Sequence, residues 1–121
     1  MLRFIQLRIK SFTYAFKGLV DLFSNHPNAQ VHLAVLLAAT VLGVTLDISR
    51  MEWIILLLCF ASVISMEAMN SAVEYLADRI SREQDPLIGK AKDIAAAAVL
   101  WSSIGTFIIG LLIFLPKLGI I

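Results

Sequence analysis

Three long stretches of the chain are dominated by apolar positions, and a fourth repeats them at helical spacing. No formal charge falls between Asp21 and Asp47, and the apolar part of that interval runs from Val31 to Leu46. A second uncharged stretch, Trp53 to Met66, lies between Glu52 and Glu67 and continues through mostly small and apolar residues to Leu76. The third, Ile94 to Pro116, lies between Asp93 and Lys117. A helix needs about 20 apolar residues to cross a hydrocarbon core about 30 Å thick. The pattern therefore predicts membrane-spanning helices over 31–47, 52–76 and 93–116. The second spans only if it carries Glu67, and Glu74 with it, within or at the edge of the membrane.

Ahead of these, Leu2, Ile5, Ile9, Phe12, Phe16 and Leu19 recur at intervals of three and four, while Arg3, Arg8, Lys10, Lys17 and Asp21 fall mostly on other faces. Over 1–23 this predicts an amphipathic helix that lies along an anionic membrane surface or packs against the bundle. With this basic, periodic stretch in front of it, the segment 31–47 reads as a retained span and not as a cleavable signal. Pro27-Asn28 punctuates the turn into the first span, and Asp85-Pro86 marks the connection before the last. Trp53 reads as an interfacial indole at a helix start, and Trp101, deeper in the last span, as a packing residue.

Composition sharpens the picture. Hydrophobic residues make up 60% of the chain and charged ones 16%, with a mean hydropathy of +0.87; soluble domains average about 45–50% and about 25%. The fold class is an all-α integral membrane protein, a single domain over 1–121. Ten basic and nine acidic residues give a net charge of +1, without the concentrated basic footprint that nucleic-acid binding needs. One cysteine, Cys59, sits in an apolar run, which excludes a disulfide framework and a cysteine-based zinc site. Arg3, Arg8, Lys10 and Lys17 precede the first span, and Arg79, Arg82, Lys90 and Lys92 lie between the second and third. Elsewhere there are only Arg50 and Lys117. The positive-inside rule then places the N-terminus and the 78–92 connection in the cytoplasm and the C-terminus outside.

The polar residues of the second span carry the candidate chemistry. At about 100° per residue, Glu67, Ser71, Glu74 and Asp78 fall within an arc of about 60°, flanked by Asn70. A carboxylate at membrane depth costs roughly 2.5–3.5 kcal/mol, so such a stripe faces protein, water or a cation and not lipid tails. Lys92-Asp93 opens the third span, and the alanines from Ala95 to Ala98 allow it to approach Glu67, Asn70 and Glu74 closely. Interhelical hydrogen bonds explain one buried asparagine well, but they explain the convergence of carboxylates, Asn70, Lys92 and Asp93 poorly. Carboxylates with an amide oxygen make a hard-oxygen site for Mg²⁺, a lysine beside it holds phosphate, and a desolvated carboxylate suits a general base. The set describes metal-assisted phosphoryl transfer to an acceptor arriving from the membrane. A proton or cation path is the alternative that spacing alone leaves open. Neither a Walker-type loop nor G-x-G-x-x-G is present, so any nucleotide is held without those cradles.

The run Glu67-Ala-Met-Asn70-Ser71-Ala72-Val-Glu74-Tyr-Leu-Ala-Asp78-Arg79 and the block Gly89-Lys-Ala91-Lys92-Asp93-Ile-Ala95 resemble the signatures of the prokaryotic diacylglycerol kinase family, which includes undecaprenol kinases. Tyr14, Lys17-Gly18, Asn28-x-x-x-His32 and the stretch Ile108 to Leu118 extend the resemblance over essentially the whole chain. It implies a homotrimer of three-span subunits, each with a surface helix, whose active sites are shared between neighbours. It also implies that ATP with Mg²⁺ phosphorylates a lipid hydroxyl, of diacylglycerol or of undecaprenol. Carried over, Glu67 is the catalytic base and Glu74 binds the metal. Asn70 orients groups in the site, and Lys92 and Asp93 contact the nucleotide, with Lys17 and Asp78 beside it. One position departs: where relatives commonly carry a second metal-binding glutamate, this chain has His26, a poorer ligand for Mg²⁺. His26 thus stands either as a metal contact or as an interfacial polar residue before Pro27.

Overall fold

The computed structural model describes residues 1–80 and 85–121. Four helices follow one another: α1 (Leu2–Asn25), α2 (Pro27–Thr45), α3 (Arg50–Ile80) and α4 (Pro86–Lys117). The last three are long and apolar enough to cross a membrane. α3 and α4 pack most extensively, and α2 lies against α3.

The turn expected near Pro27 is a one-residue corner. His26 is extended, with φ −116° and ψ 103°, because the residue before a proline is pushed out of the helical region. Pro27 then opens α2 at its first position, where a missing N–H costs nothing. The first span accordingly begins at Pro27 and not at 31. All of residues 1–20 are exposed, and Leu22 is the buried residue of α1. The apolar row from Leu2 to Phe16 is therefore exposed among the described residues, and α1 approaches α3 through its second half, where Ala15, Gly18, Leu19 and Leu22 face Ala68 and Ala72.

The connection after α3 is also shorter than the expected 78–92. α3 runs on to Ile80, and α4 starts at Pro86 and not at 93. Asp85 caps it, its Oδ1 accepting from Leu87 N at 2.9 Å. Asp-Pro here is an N-cap followed by a first-position proline, the two strongest helix-start signals together. Asp78, Lys90 and Lys92 thus stand on helices, and Arg82 lies outside the described residues.

At the end remote from the polar stripe, Ser49 and Glu52 form a reciprocal capping box. Ser49 N donates to Glu52 Oε2 at 2.6 Å, and Glu52 N donates to Ser49 Oγ at 3.2 Å. Lys117 Nζ, 3.3 Å from the same Glu52 oxygen, ties the end of α4 to the start of α3. Beneath it Ile48, Leu56 and Ile113 form the core with Trp53, Phe60 and Phe114 around them. Trp53 lies close against Gly43, where a Cβ would come within 2.7 Å of the indole. Trp101, expected to pack, is 81% exposed. α4 faces α3 through Ala95, Val99, Ser102, Thr106, Ile109 and Ile113, and two residues beyond Val99 is about 200° around the helix.

Candidate active site

The stripe on α3 is graded from buried to exposed toward the end that carries α1. Glu67 is 2% exposed, Ser71 6% and Asn70 7%, Glu74 is half-buried, and Asp78 is exposed. Their common face follows from helical periodicity. Their burial follows from what flanks them: α2 and the α1–α2 corner on one side, α4 on the other.

On the first flank, His32 Nε2 of α2 stands 3.2 Å from Glu67 Oε1, within ion-pair distance but outside hydrogen-bond geometry, so that buried oxygen has no hydrogen-bond donor among the described residues. One turn along, His26 Nδ1 lies 3.1 Å from Ser71 Oγ. Its Nε2 lies 3.0 Å from Tyr75 Oη. Tyr75 O–H donates to Asp21 Oδ2 at 2.7 Å, and Asn25 Nδ2 donates to Asp21 Oδ1 at 2.7 Å. Because Tyr75 spends its proton on Asp21, its oxygen accepts from His26 Nε2–H, and in the Nε2–H tautomer Nδ1 accepts from Ser71 O–H. The Tyr75 hydroxyl and the Asn25 amide hold the Asp21 carboxyl below its ordinary value of 3.8.

On the second flank, Asn70 faces a gap lined by Ala91, Ile94, Ala95 and Ala98 of α4, and its buried Oδ1 is unpartnered. The alanine run therefore does bring α4 against Asn70. Lys92 Nζ pairs with Asp78 Oδ1 at 3.1 Å, while Asp93 is exposed. Lys17 is not part of this cluster within the subunit; it is exposed on α1 with Nζ 5.8 Å from the Tyr14 ring.

A cavity of about 550 Å³ runs between α2, α3 and α4, walled by residues such as Val35, Leu42, Phe60, Val63 and Phe107. His32 lines it, and the Glu67 carboxylate, which does not itself line the slot, lies 3.2 Å from that ring. Among the described residues no group of three or more His, Cys, Asp or Glu side chains is placed to hold a metal. Mg²⁺ needs no such cage, since it takes one or two carboxylates with phosphate oxygens and waters. Glu74 and the free Asn70 oxygen suit it on those terms. His26, with both ring nitrogens engaged, does not.

Sequence reasoning passed over Asp21, Asn25 and Tyr75, and gave His32 no role at the base. The available signals were thin: an acid near the end of a cationic helix, and a histidine as the titratable group inside an apolar span.

An all-helical bundle with three helices apolar enough to span a membrane, an apolar cavity between them and a buried carboxylate nearby defines a class, the integral membrane protein with a polar site among its spans. The comparisons specify it further. The sequence matches the prokaryotic diacylglycerol kinase family over residues 13–114. It is 39% identical to the undecaprenol kinase of Bacillus subtilis (strain 168) over 109 residues, 90% of this chain and 89% of that protein. It is 35% identical to the diacylglycerol kinase of Escherichia coli (strain K12) over 92 residues, 76% of this chain and 75% of that protein. This chain belongs to the prokaryotic diacylglycerol kinase family. It is a lipid kinase of the bacterial membrane with ATP as phosphate donor, and the carrier reading that spacing left open gives way.

Proposed function

We propose that this kinase phosphorylates the terminal hydroxyl of undecaprenol, with Glu67 as general base. The observation that carries the reading is Glu67 Oε1, buried and without a donor, beside the His32 end of an apolar slot. An acceptor whose tail fills the slot brings its O–H to that oxygen. The carboxylate takes the proton as the lipid oxygen bonds to the γ-phosphorus, and the bond from that phosphorus to the ADP oxygen breaks. Lys92, oriented by Asp78, holds phosphate charge, with Asp93 and Lys17 at the nucleotide and Asn70 orienting the reacting groups. Glu74, together with nucleotide oxygens, would hold Mg²⁺, which would supply charge neutralisation. The exposed positions of Lys17 and Asp93 fit a site completed by a neighbouring subunit of a trimer, with the N-terminus cytoplasmic.

Two arguments favour undecaprenol over diacylglycerol. The similarity to the undecaprenol kinase is higher and covers more of the chain. The slot is apolar apart from His32, Ser103 and Thr106, and Ser103 already donates to Val99 O. It offers few donors to the two ester carbonyls of a diacylglycerol, whereas a polyprenol has none to satisfy. The test is phosphate transfer from radiolabelled ATP with Mg²⁺ in detergent micelles, to each lipid separately. Faster turnover of undecaprenol is expected. Equal or faster turnover of diacylglycerol overturns the acceptor assignment.

A further inference from the structure

Ser71 and Tyr75 bracket Glu74 on α3, and both are hydrogen-bonded to the one residue that joins α1 to α2. Ser71 O–H, His26 Nε2–H and Tyr75 O–H all donate in one direction, ending on the Asp21 carboxylate that Asn25 also holds. Chains of this kind reinforce each bond through its neighbours. Beside the contacts of Ala15, Gly18 and Leu19 across from Ala68 and Ala72 and the buried Leu22, this relay is the polar link between α1 and α3 among the described residues. A carboxylate at position 26 could join the two elements through a shared cation; an imidazole with both nitrogens spent cannot.

We propose that His26 is a positioning residue, and that the relay Ser71–His26–Tyr75–Asp21 clamps the α1–α2 corner onto the turn of α3 that carries Glu74. The clamp does by hydrogen bonding what a metal shared between positions 26 and 74 would otherwise do. It rests on the kinase reading only for the metal role of Glu74. Tyr75 and Asp21 are then part of what holds the site together, although neither touches substrate.

The test uses Mn²⁺ as the probe, bound with a non-hydrolysable ATP analogue to the full chain in micelles. Pulsed EPR of the bound Mn²⁺ is expected to be the same in wild type and in His26→Gln. A nitrogen coupling that His26→Gln abolishes overturns the proposal. Amide exchange over residues 19–28 is the second readout. Tyr75→Phe, which removes no ligand but both hydrogen bonds of that hydroxyl, is expected to speed it by about tenfold or more. It should also lower kcat while leaving KM for ATP nearly unchanged. Adding Ser71→Ala to it removes the remaining bond from His26 to α3 and should speed exchange further. Unchanged exchange and kcat in Tyr75→Phe overturns the proposal, including where His26→Gln proves too unstable for EPR. Mn²⁺ binding undiminished by Glu74→Gln would instead remove the metal assignment of Glu74, and the exchange result would still decide the relay.

Discussion

Glu67→Gln separates a catalytic carboxylate from a structural one, because the two roles predict opposite balances of activity and stability. The substitution keeps side-chain volume in a site only 2% exposed and removes the charge. A general base contributes roughly 10²–10⁴ in rate, about 2.7–5.5 kcal/mol at about 1.36 kcal/mol per decade. On the stability side, Glu67 Oε1 has no hydrogen bond to lose. An ionisable group at membrane depth costs roughly 2.5–3.5 kcal/mol, and most of that cost is relieved by the amide. The variant is therefore expected to lose at least about a hundredfold in kcat while unfolding no more readily than wild type. Lipid phosphorylation from radiolabelled ATP and a denaturant titration in the same micelles measure the two. Transfer retained within about tenfold of wild type would refute the base assignment. Loss of both activity and stability would show that Glu67 serves the packing against His32.

Three further outcomes follow from the geometry. Lys92→Ala breaks an exposed pair with Asp78, worth only about 0–1 kcal/mol to the fold; a large rise in KM for ATP with an unchanged denaturation midpoint is expected, and a shifted midpoint with normal KM would contradict the phosphate role. Gly43→Ala drives a methyl to 2.7 Å from the Trp53 ring and is expected to cost about 1–3 kcal/mol by overpacking, whereas Gly105→Ala, which meets open space, should cost nothing; denaturant titration of the pair checks this. Because the Asp21 carboxyl is held below its ordinary 3.8 by Tyr75 and Asn25, its contribution to the α1–α3 joint is complete above pH 3.8 and is lost as pH falls through the lowered value. Exchange at the corner should accelerate in that acid range for wild type, and Asp21→Asn should show no such step.

What was legible in the sequence was whatever periodicity or composition encodes. The three spans, the surface helix and the polar face of α3 all follow from spacing, and Glu67, Asn70, Ser71 and Glu74 do share that face. Helix ends were misplaced where one residue pair has two meanings. Pro27 and Asp85-Pro86 read as loop punctuation, yet both open helices, since proline breaks a helix in its interior and suits its first turn. Trp101 lies on the face of α4 turned away from α3; spacing says that a helix has two faces without saying which one a neighbour takes.

Partners are the part that periodicity cannot encode. Tyr75 is the neighbour of Glu74 in sequence, but it meets His26 and Asp21, which lie 49 and 54 residues away along the chain. Those meetings depend on the angle at which α1 leaves α2, and that angle is set by one extended residue ahead of a proline. Had the corner been the longer loop that Pro27-Asn28 suggested, α1 would be free to pivot, and nothing would hold Asp21 against Tyr75. The same residue that departs from the family pattern is thus the residue whose backbone makes the corner tight. Its ring then uses both nitrogens to keep the corner against α3. The family resemblance implies a metal ligand at position 26, whereas the hydrogen bonds of His26 make a joint there. The two descriptions differ in whether cutting the chain of hydrogen bonds at Tyr75, where no ligand is lost, loosens the site.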